Sequence, residues 1–233
     1  MTFSKWHALG NTYLLVEGAD LTPGRAVELA HGSDGVVQVV AAADAEADVA
    51  IWNPDGSQAE LSGNGARIAA RWLAERTGAT TVRLRIGSRE LVARILAGAN
   101  VEIEMGDVEV GAPERVDGID LIPVTVGNPH AVVLGDPDEI GTIGPLLEKH
   151  PRFPNRTNVQ VARIEAPGRV TARVWERGVG ETTASGTSAV AVAAATHDAG
   201  DVLVRFPGGD LRVRLEGARA LLVGPVERVG ERA

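Results

Sequence analysis

The sequence predicts a mixed α/β protein made of two similar halves. Short apolar runs recur between turn residues, and several of them alternate with polar residues, as half-buried strands do. The chain also repeats itself, because one fixed shift lays Trp52 on Trp175 and Ser62 on Ser185. A slightly smaller shift lays Gly10-Asn11 on Gly127-Asn128. Each half therefore runs from a Gly-Asn pair through strands to a Ser-Gly loop and a helix.

The boundary between the halves is expected near residues 106–120, where turn residues and charged residues are concentrated. We therefore expect one domain over residues 1–112 and a second over residues 113–233, each with one of the Ser-Gly loops. The strands are predicted, in chain order, at 13–17, 35–40, 47–52, 81–86, 100–105, 130–134, 169–175, 202–206 and 211–215.

Three segments predict helices, over residues 22–32, 63–78 and 186–200, each with a glycine at its end. The second predicted helix has an apolar face and a polar remainder. Its apolar face carries Ile68, Ala69, Trp72 and Leu73. The other faces of the helix are expected to carry Arg67, Arg71 and Glu75. The third helix is apolar on every side, which predicts burial. Its first N–H groups would then lie in the interior, where they need an anion or another acceptor.

The composition excludes several classes of function. A net charge of −8 argues against a general nucleic-acid binder, which needs a basic face. No apolar run is long enough to cross a membrane, and the N-terminus lacks a secretory signal, so we expect a cytoplasmic protein. Cysteine is absent, which excludes disulfides and thiolate metal sites. The five histidines are scattered without metal-ligand spacing, so no metal is expected.

The loop over residues 53–67 has two interpretations. One is a turn followed by a serine, Ser62, that caps a helix. The other is that a backbone nest in the loop and the start of the helix bind a carboxylate or phosphate, so that Gly63 and Gly65 would supply more than flexibility. The spacing does not fit a phosphate loop or a dinucleotide fingerprint, so a carboxylate is the better candidate anion.

The loop over residues 175–189 repeats this layout. Glu176 and Arg177 are either a surface pair or a carboxylate and a guanidinium suited to the ammonium and carboxylate of an amino acid. The segment GNPH adds Asn128 and His130, although a lone histidine is more often structural than functional. Asn158 follows in NRTNV, and single asparagines are weak signals because they commonly form turns.

Four motifs taken together resemble the diaminopimelate epimerases: HALGN, NPDGSQAELSGNG, GNPH and ERGVGETTASGT, in this order along most of the chain. The resemblance implies two similar pseudo-symmetric domains, each a curled, mostly antiparallel sheet around a central helix, with the substrate in the cleft between them. It implies interconversion of LL- and meso-diaminopimelate for lysine and peptidoglycan synthesis, without a cofactor, by a homodimer.

The resemblance also implies the residues of the site. The substrate-binding residues are Asn11, Asn53, Gly63, Asn64, Asn128, Asn158, Glu176, Arg177, Gly186 and Thr187, with His130 beside them. In the family, one cysteine removes the α-proton as a thiolate and a second, on the opposite face, returns a proton as a thiol. Those two positions are Ser62 and Ser185 in this chain. Forming a serine base costs on the order of 5–9 kcal/mol more than forming a thiolate, so very slow epimerisation or none is expected.

Three interpretations remain open at this point. The chain is a diaminopimelate epimerase whose two cysteines were changed to serine, a related racemase or isomerase with another amino-acid substrate, or a non-catalytic protein that binds an amino acid. Retention of the whole substrate set favours the first interpretation, because a drifting relative should also lose some of those residues.

Overall fold

The computed structural model describes residues 2–18 and 20–229. These residues form four α-helices, eighteen strands and one 3₁₀ turn, which confirms the mixed α and β class. The helices are α1 Pro23–Ala30, α2 Gly63–Thr77, α3 Ile140–Glu148 and α4 Gly186–Thr196, and the 3₁₀ turn is Pro137–Glu139. None of these helices has both the length and the apolar character that a membrane span needs.

Strands account for most of the regular structure in the described residues. The first seven are β1 Thr2–Ala8, β2 Asn11–Glu17, β3 Gly35–Ala43, β4 Glu46–Trp52, β5 Thr81–Ile86, β6 Arg89–Ile95 and β7 Asn100–Asp107. The next six are β8 Glu109–Val110, β9 Glu114–Val116, β10 Ile119–Thr125, β11 Pro129–Leu134, β12 Asn158–Ala166 and β13 Arg169–Glu176. The last five are β14 Gly180–Thr182, β15 Gly200–Phe206, β16 Gly209–Glu216, β17 Arg219–Pro225 and β18 Glu227–Arg228.

The described residues fall into two compact units. The first contains the chain up to Glu104 together with the segment from Val223 onward, and the second runs over Met105–Leu222. The last segment lies with the first unit because β18 pairs with β1 and because Val226 N–H donates to the carbonyl of Ala99 (2.9 Å). The halves expected from the sequence, 1–112 and 113–233, place that segment in the second half.

The first unit has α2 at its centre. Strands β1 to β6 are joined edge to edge, with β2–β3 and β4–β5 parallel and the other neighbouring pairs antiparallel. The helix packs against all six strands, and its residues from Gly63 to Ala70 are all buried. A sheet whose strands all meet one helix must curl around it.

The second unit repeats this order of pairing around α4. Strand β10 pairs antiparallel with β11, and then β11–β12 is parallel, β12–β13 antiparallel, β13–β15 parallel and β15–β16 antiparallel. The same six strands pack against α4. A register shift in the β3–β4 pair, between Val39 and Ala41, recurs in the β12–β13 pair between Ile164 and Ala166. The repeat seen in the sequence is therefore present in the strand pairing.

The structure corrects three details of the predicted helices. The third helix ends at Thr196 rather than near Gly200, because Gly200 already begins β15. Arg67 was expected away from the core and is completely buried. Helix α3 was not predicted at all; it follows β11 in the chain as α1 follows β2.

Candidate active site

Ser62 lies at the N-cap of α2 with an extended backbone (φ −131°, ψ 116°). Its Oγ accepts a hydrogen bond from Gly65 N–H (3.2 Å), so the predicted capping role is confirmed. The hydroxyl of Tyr13, from β2, lies 3.4 Å from the same Oγ. Ser62 is therefore in contact with the first turn of its own helix and with a phenol from the neighbouring strand.

The other expected residues of the first unit lie at the start of β2, just after β4 and in the first turn of α2. Asn11 is buried and is the first residue of β2, directly after Gly10, whose positive φ of 86° makes the turn that a side chain would hinder. Asn64 is buried, and its Oδ1 accepts from Arg67 Nη2 (2.9 Å). Asn53, just after β4, is held by its own turn, because its backbone N–H and its Nδ2 both donate to Ser57 (2.8 and 3.0 Å).

Arg67 is an unexpected part of this arrangement. Burial lowers the pKa of its guanidinium to about 10, and the electrostatic interaction with Tyr13 opposes that shift. Its Nε and Nη1 have no hydrogen-bond partner within the described part of the chain. A buried cation with unpaired N–H groups thus lies beside the start of α2.

In the second unit, His130 is the centre of a buried hydrogen-bond chain. Gln160 Nε2 donates to His130 Nδ1 (3.0 Å) and to Ser188 Oγ in the first turn of α4 (2.9 Å). Because Nδ1 accepts, the imidazole proton is on Nε2, which donates to Asn128 Oδ1 (2.9 Å). Burial lowers the pKa of His130 to about 3; the Gln160 hydrogen bond opposes this shift, and the charge of Arg177 adds to it. His130 is therefore neutral, and its Nε2–H holds the side-chain oxygen of Asn128 in place.

Asn158 joins the Gly-Asn strand to the loop that follows β13. It lies opposite His130 in the parallel β11–β12 pair. Its Nδ2 donates to the carbonyl of Pro129 (2.9 Å), and its Oδ1 accepts from the backbone N–H of Arg177 (3.0 Å). The structure thus brings Asn128, His130, Asn158 and the backbone of Arg177 together.

The loop that carries Glu176 and Arg177 is held by Glu148, at the end of α3. Glu148 is buried and accepts from Gly178 N–H (2.7 Å), from Trp175 Nε1 (3.1 Å) and from Arg156 Nη2. Burial raises the pKa of the Glu148 carboxyl, but the Gly178, Trp175 and Arg156 contacts outweigh burial and hold this pKa below its usual range. The carboxylate therefore remains ionised and fixes the loop. Glu176 itself accepts from Thr182 Oγ1 (2.6 Å).

Ser185 lies at the N-cap of α4, in the position that Ser62 has on α2. Its backbone is extended (φ −142°, ψ 130°), but its side chain makes no capping hydrogen bond, in contrast to Ser62. Ser185, Gly186 and Thr187 are buried. The first N–H groups of a buried helix lie next to a hydroxyl that the helix itself does not use.

Sequence reasoning missed Tyr13, Arg67, Glu148 and Gln160. One signal was available for the first, because the shift that lays Gly10-Asn11 on Gly127-Asn128 also lays Tyr13 on His130. The other three are recognisable only from contacts made in the fold. Within the part of the chain that the structure describes, no cluster of three or more His, Asp or Glu side chains could hold a metal ion.

Solved structures with the same fold include an epimerase and a probable racemase that act on amino acids of the proline type. A hydroxyproline epimerase from Agrobacterium vitis superposes with a TM-score of 0.76 at 18% identity, covering 98% of this chain and 90% of that one. A probable proline racemase from Agrobacterium radiobacter superposes with a TM-score of 0.73 at 17% identity, covering 99% of this chain and 92% of that one. A predicted epimerase from Pseudomonas aeruginosa superposes with a TM-score of 0.76 at 15% identity, covering 98% of this chain and 96% of that one.

Sequence comparison defines the family. The model of the family described as diaminopimelate epimerase matches residues 3–111 and 122–229. Diaminopimelate epimerase 2 of Nostoc is 36% identical over 93% of this chain and 89% of its own length. The diaminopimelate epimerase of Pelotomaculum thermopropionicum is 34% identical over 98% of this chain and 97% of its own length. The chain belongs to the diaminopimelate epimerase family, which places it among the isomerases.

Proposed function

We propose that this chain interconverts LL- and meso-diaminopimelate by proton transfer at the α-carbon, with Ser62 and Ser185 at the two proton-transfer positions. The observation that carries the proposal is the pair of serines at the N-caps of α2 and α4, each on a helix that is buried from its first residue. Inversion requires one group on each face of the α-carbon. Two related units, each with one such serine, can supply them.

The helix starts suit the charge of the reaction. Removing the α-proton places negative charge on the α-carbon and its carboxylate, and the N–H groups at a helix N-terminus stabilise such charge. Gly63 and Asn64 in the first unit, and Gly186 and Thr187 in the second, contribute these groups. Glu176 and Arg177, on the loop fixed by Glu148, are suited to the ammonium and carboxylate groups of the substrate.

The serines limit the rate. A thiol ionises near pH 8.5, whereas an aliphatic hydroxyl is a far weaker acid, and a helix N-terminus recovers only about 2 kcal/mol of the difference. The neutral His130 cannot compensate, because both its nitrogens already have partners. Restoring thiols at both positions should therefore raise the rate by at least about 100-fold.

The test measures exchange of the substrate α-proton in deuterated water. The parent protein and the Ser62→Cys plus Ser185→Cys variant are incubated with LL-diaminopimelate, and loss of the α-proton is followed by NMR. We expect fast exchange and inversion in the double variant and slow or no exchange in the parent. Ser88→Cys, which adds an exposed thiol in the β5–β6 turn, should match the parent.

Calorimetry separates this proposal from its alternatives. Binding of diaminopimelate with exchange in the double variant supports an epimerase. Binding without exchange in either protein indicates an amino-acid-binding protein. No binding of either isomer contradicts the proposal, and proline and hydroxyproline are then the next substrates to test. A role in lysine synthesis, a cytoplasmic location and a homodimeric state are part of the same proposal.

A further inference from the structure

Tyr13 is the one tyrosine of the chain, and it is placed to exchange a proton with Ser62. Its hydroxyl lies 3.4 Å from Ser62 Oγ. Because Oγ accepts the Gly65 N–H, its own proton is free to point toward the Tyr13 oxygen. The two hydroxyls are therefore neighbours, at a distance from which a small movement would bring them into an ordinary hydrogen bond.

The position of the Tyr13 ring is fixed by the packing around it. Tyr13 pairs with Gly35 across β2 and β3 and with Trp6 across β1 and β2. A Cβ added at Gly35 would lie only 2.8 Å from Cε1 of the ring, so the ring fills the space that this glycine leaves. A larger residue at position 35 would press on the Tyr13 ring and on the backbone carbonyl of Trp52, which lies 2.6 Å from the same Cβ position.

Arg67 supplies a positive charge for this pair. Its guanidinium is completely buried and interacts electrostatically with Tyr13, and its Nε and Nη1 have no hydrogen-bond partner in the described segments. Trp6 from β1 and Gly35 from β3, which pair with Tyr13, carry no charge, so Arg67 from α2 is the charged residue of these three. A buried cation with unused donors stabilises an anion next to it, and an ionised phenol is such an anion.

We propose that the Tyr13 phenolate activates Ser62 by accepting its hydroxyl proton, which supplies the base that an isolated serine lacks. As Ser62 Oγ takes the α-proton of the substrate, it passes its own proton to the Tyr13 oxygen. The α-carbon becomes a carbanion, Ser62 remains a hydroxyl, and the phenolate becomes a phenol. In the reverse direction the phenol returns the proton through Ser62. The proposal rests on the proposed function, and Tyr13 acts through Ser62 rather than on the substrate.

A phenol is chemically suited to this role. An unperturbed phenol ionises near pH 10, much nearer to a thiol at about 8.5 than to an aliphatic hydroxyl. At pH 7 an unperturbed phenol is ionised in roughly one molecule in a thousand, whereas a serine alkoxide is rarer by several further orders of magnitude.

The first test needs no substrate. Because Tyr13 is the one tyrosine, the near-ultraviolet absorbance of tyrosinate reports this residue alone as pH is raised. We expect the midpoint to rise by about one pH unit or more in Arg67→Met, which removes the charge, and less in Arg67→Lys. Ser62→Ala should also raise it, because the phenolate loses a hydrogen-bond donor. Equal midpoints in the parent, Arg67→Met and Ser62→Ala would overturn the proposal, and circular dichroism confirms that each variant is folded.

The second test uses α-proton exchange. Tyr13→Phe should slow exchange by about 100-fold in the parent, as loss of a general base does. In the Ser62→Cys plus Ser185→Cys background it should slow exchange by less than about 10-fold, because a thiol needs no relay. Equal losses in both backgrounds would indicate a structural role and overturn the proposal. Thr77→Val removes a hydroxyl from the far end of α2 and should leave the rate unchanged.

The two tests distinguish the failure of each proposal. If the double cysteine variant exchanges no α-proton from diaminopimelate, the proposed function fails. The titration still decides the Tyr13–Ser62 pair in that case, because it does not depend on the substrate.

Discussion

His130 links the stability of the protein to pH. Its pKa falls from 6.5 to about 3 on burial, so the folded protein resists protonation while the unfolded chain does not. A depressed pKa gives stability that is present above the unfolded value and is lost as pH falls toward the folded one. The loss attributable to His130 therefore develops between about pH 6.5 and pH 3.

This effect can be measured by denaturant unfolding at pH 6 and pH 4. We expect the parent to lose about 2–3 kcal/mol more than His130→Gln over this interval, because the variant has no imidazole to protonate in the unfolded state. His31→Gln, which removes an imidazole from an exposed position, is the matched control. If the parent and His130→Gln lose the same free energy, the imidazole is not held neutral by burial.

At the scale of elements, α3 shows why part of the fold was not predictable. Gly141, Gly144 and Pro145 all lie inside it, and in a sequence such residues indicate a loop. The structure gives Gly144 a packing role, because a Cβ there would approach Cβ and Cγ of Trp175 at 2.7 Å. A contact between residues so far apart in sequence has no local signature.

The two glycines of α3 make a matched pair for testing this explanation. Gly144→Ala should lower the free energy of unfolding by about 1–2 kcal/mol, because the added methyl group displaces Trp175. At Gly141 an added Cβ meets nothing within 4 Å, so Gly141→Ala should raise it by about 0.5–1 kcal/mol through helix propensity. Chemical denaturation measures both. A gain in stability at both positions would show that the contact with Trp175 does not require a glycine at position 144.

The helices that sequence reasoning did find have local signals. Thr22 precedes Pro23 at the start of α1, and Gly78 ends α2 in a left-handed conformation. The candidate site likewise has some residues with a local sequence signal and others without one. The Gly-Asn turns and the Ser-Gly helix starts were predictable because the residues that form each of them are consecutive in the sequence. Tyr13 was missed because its contacts with Gly35 and Ser62 are made only in the fold. Arg67 was missed because its burial and its interaction with Tyr13 also arise only in the fold.

For the whole molecule, the two duplicated units share the order of strand pairing but differ in the side chains at corresponding positions. The order of strand pairing is the same around α2 and α4, yet Tyr13 in the first unit corresponds to His130 in the second. The Tyr13 hydroxyl reaches Ser62, whereas both nitrogens of His130 are bonded to Asn128 and Gln160. His130 therefore cannot activate Ser185 as we propose that Tyr13 activates Ser62.

This inequality predicts an order among single variants. Ser185→Cys repairs the position that has no relay and leaves the Tyr13–Ser62 pair intact, so it should raise the rate of inversion above that of the parent. Ser62→Cys leaves Ser185 unaided and should give a rate at least about 10-fold below that of Ser185→Cys. The measurement is the inversion of diaminopimelate, with Ser88→Cys as the control for an added thiol. Equal rates in the two single variants, or the opposite order, would mean that the two serines are chemically equivalent despite their different neighbours.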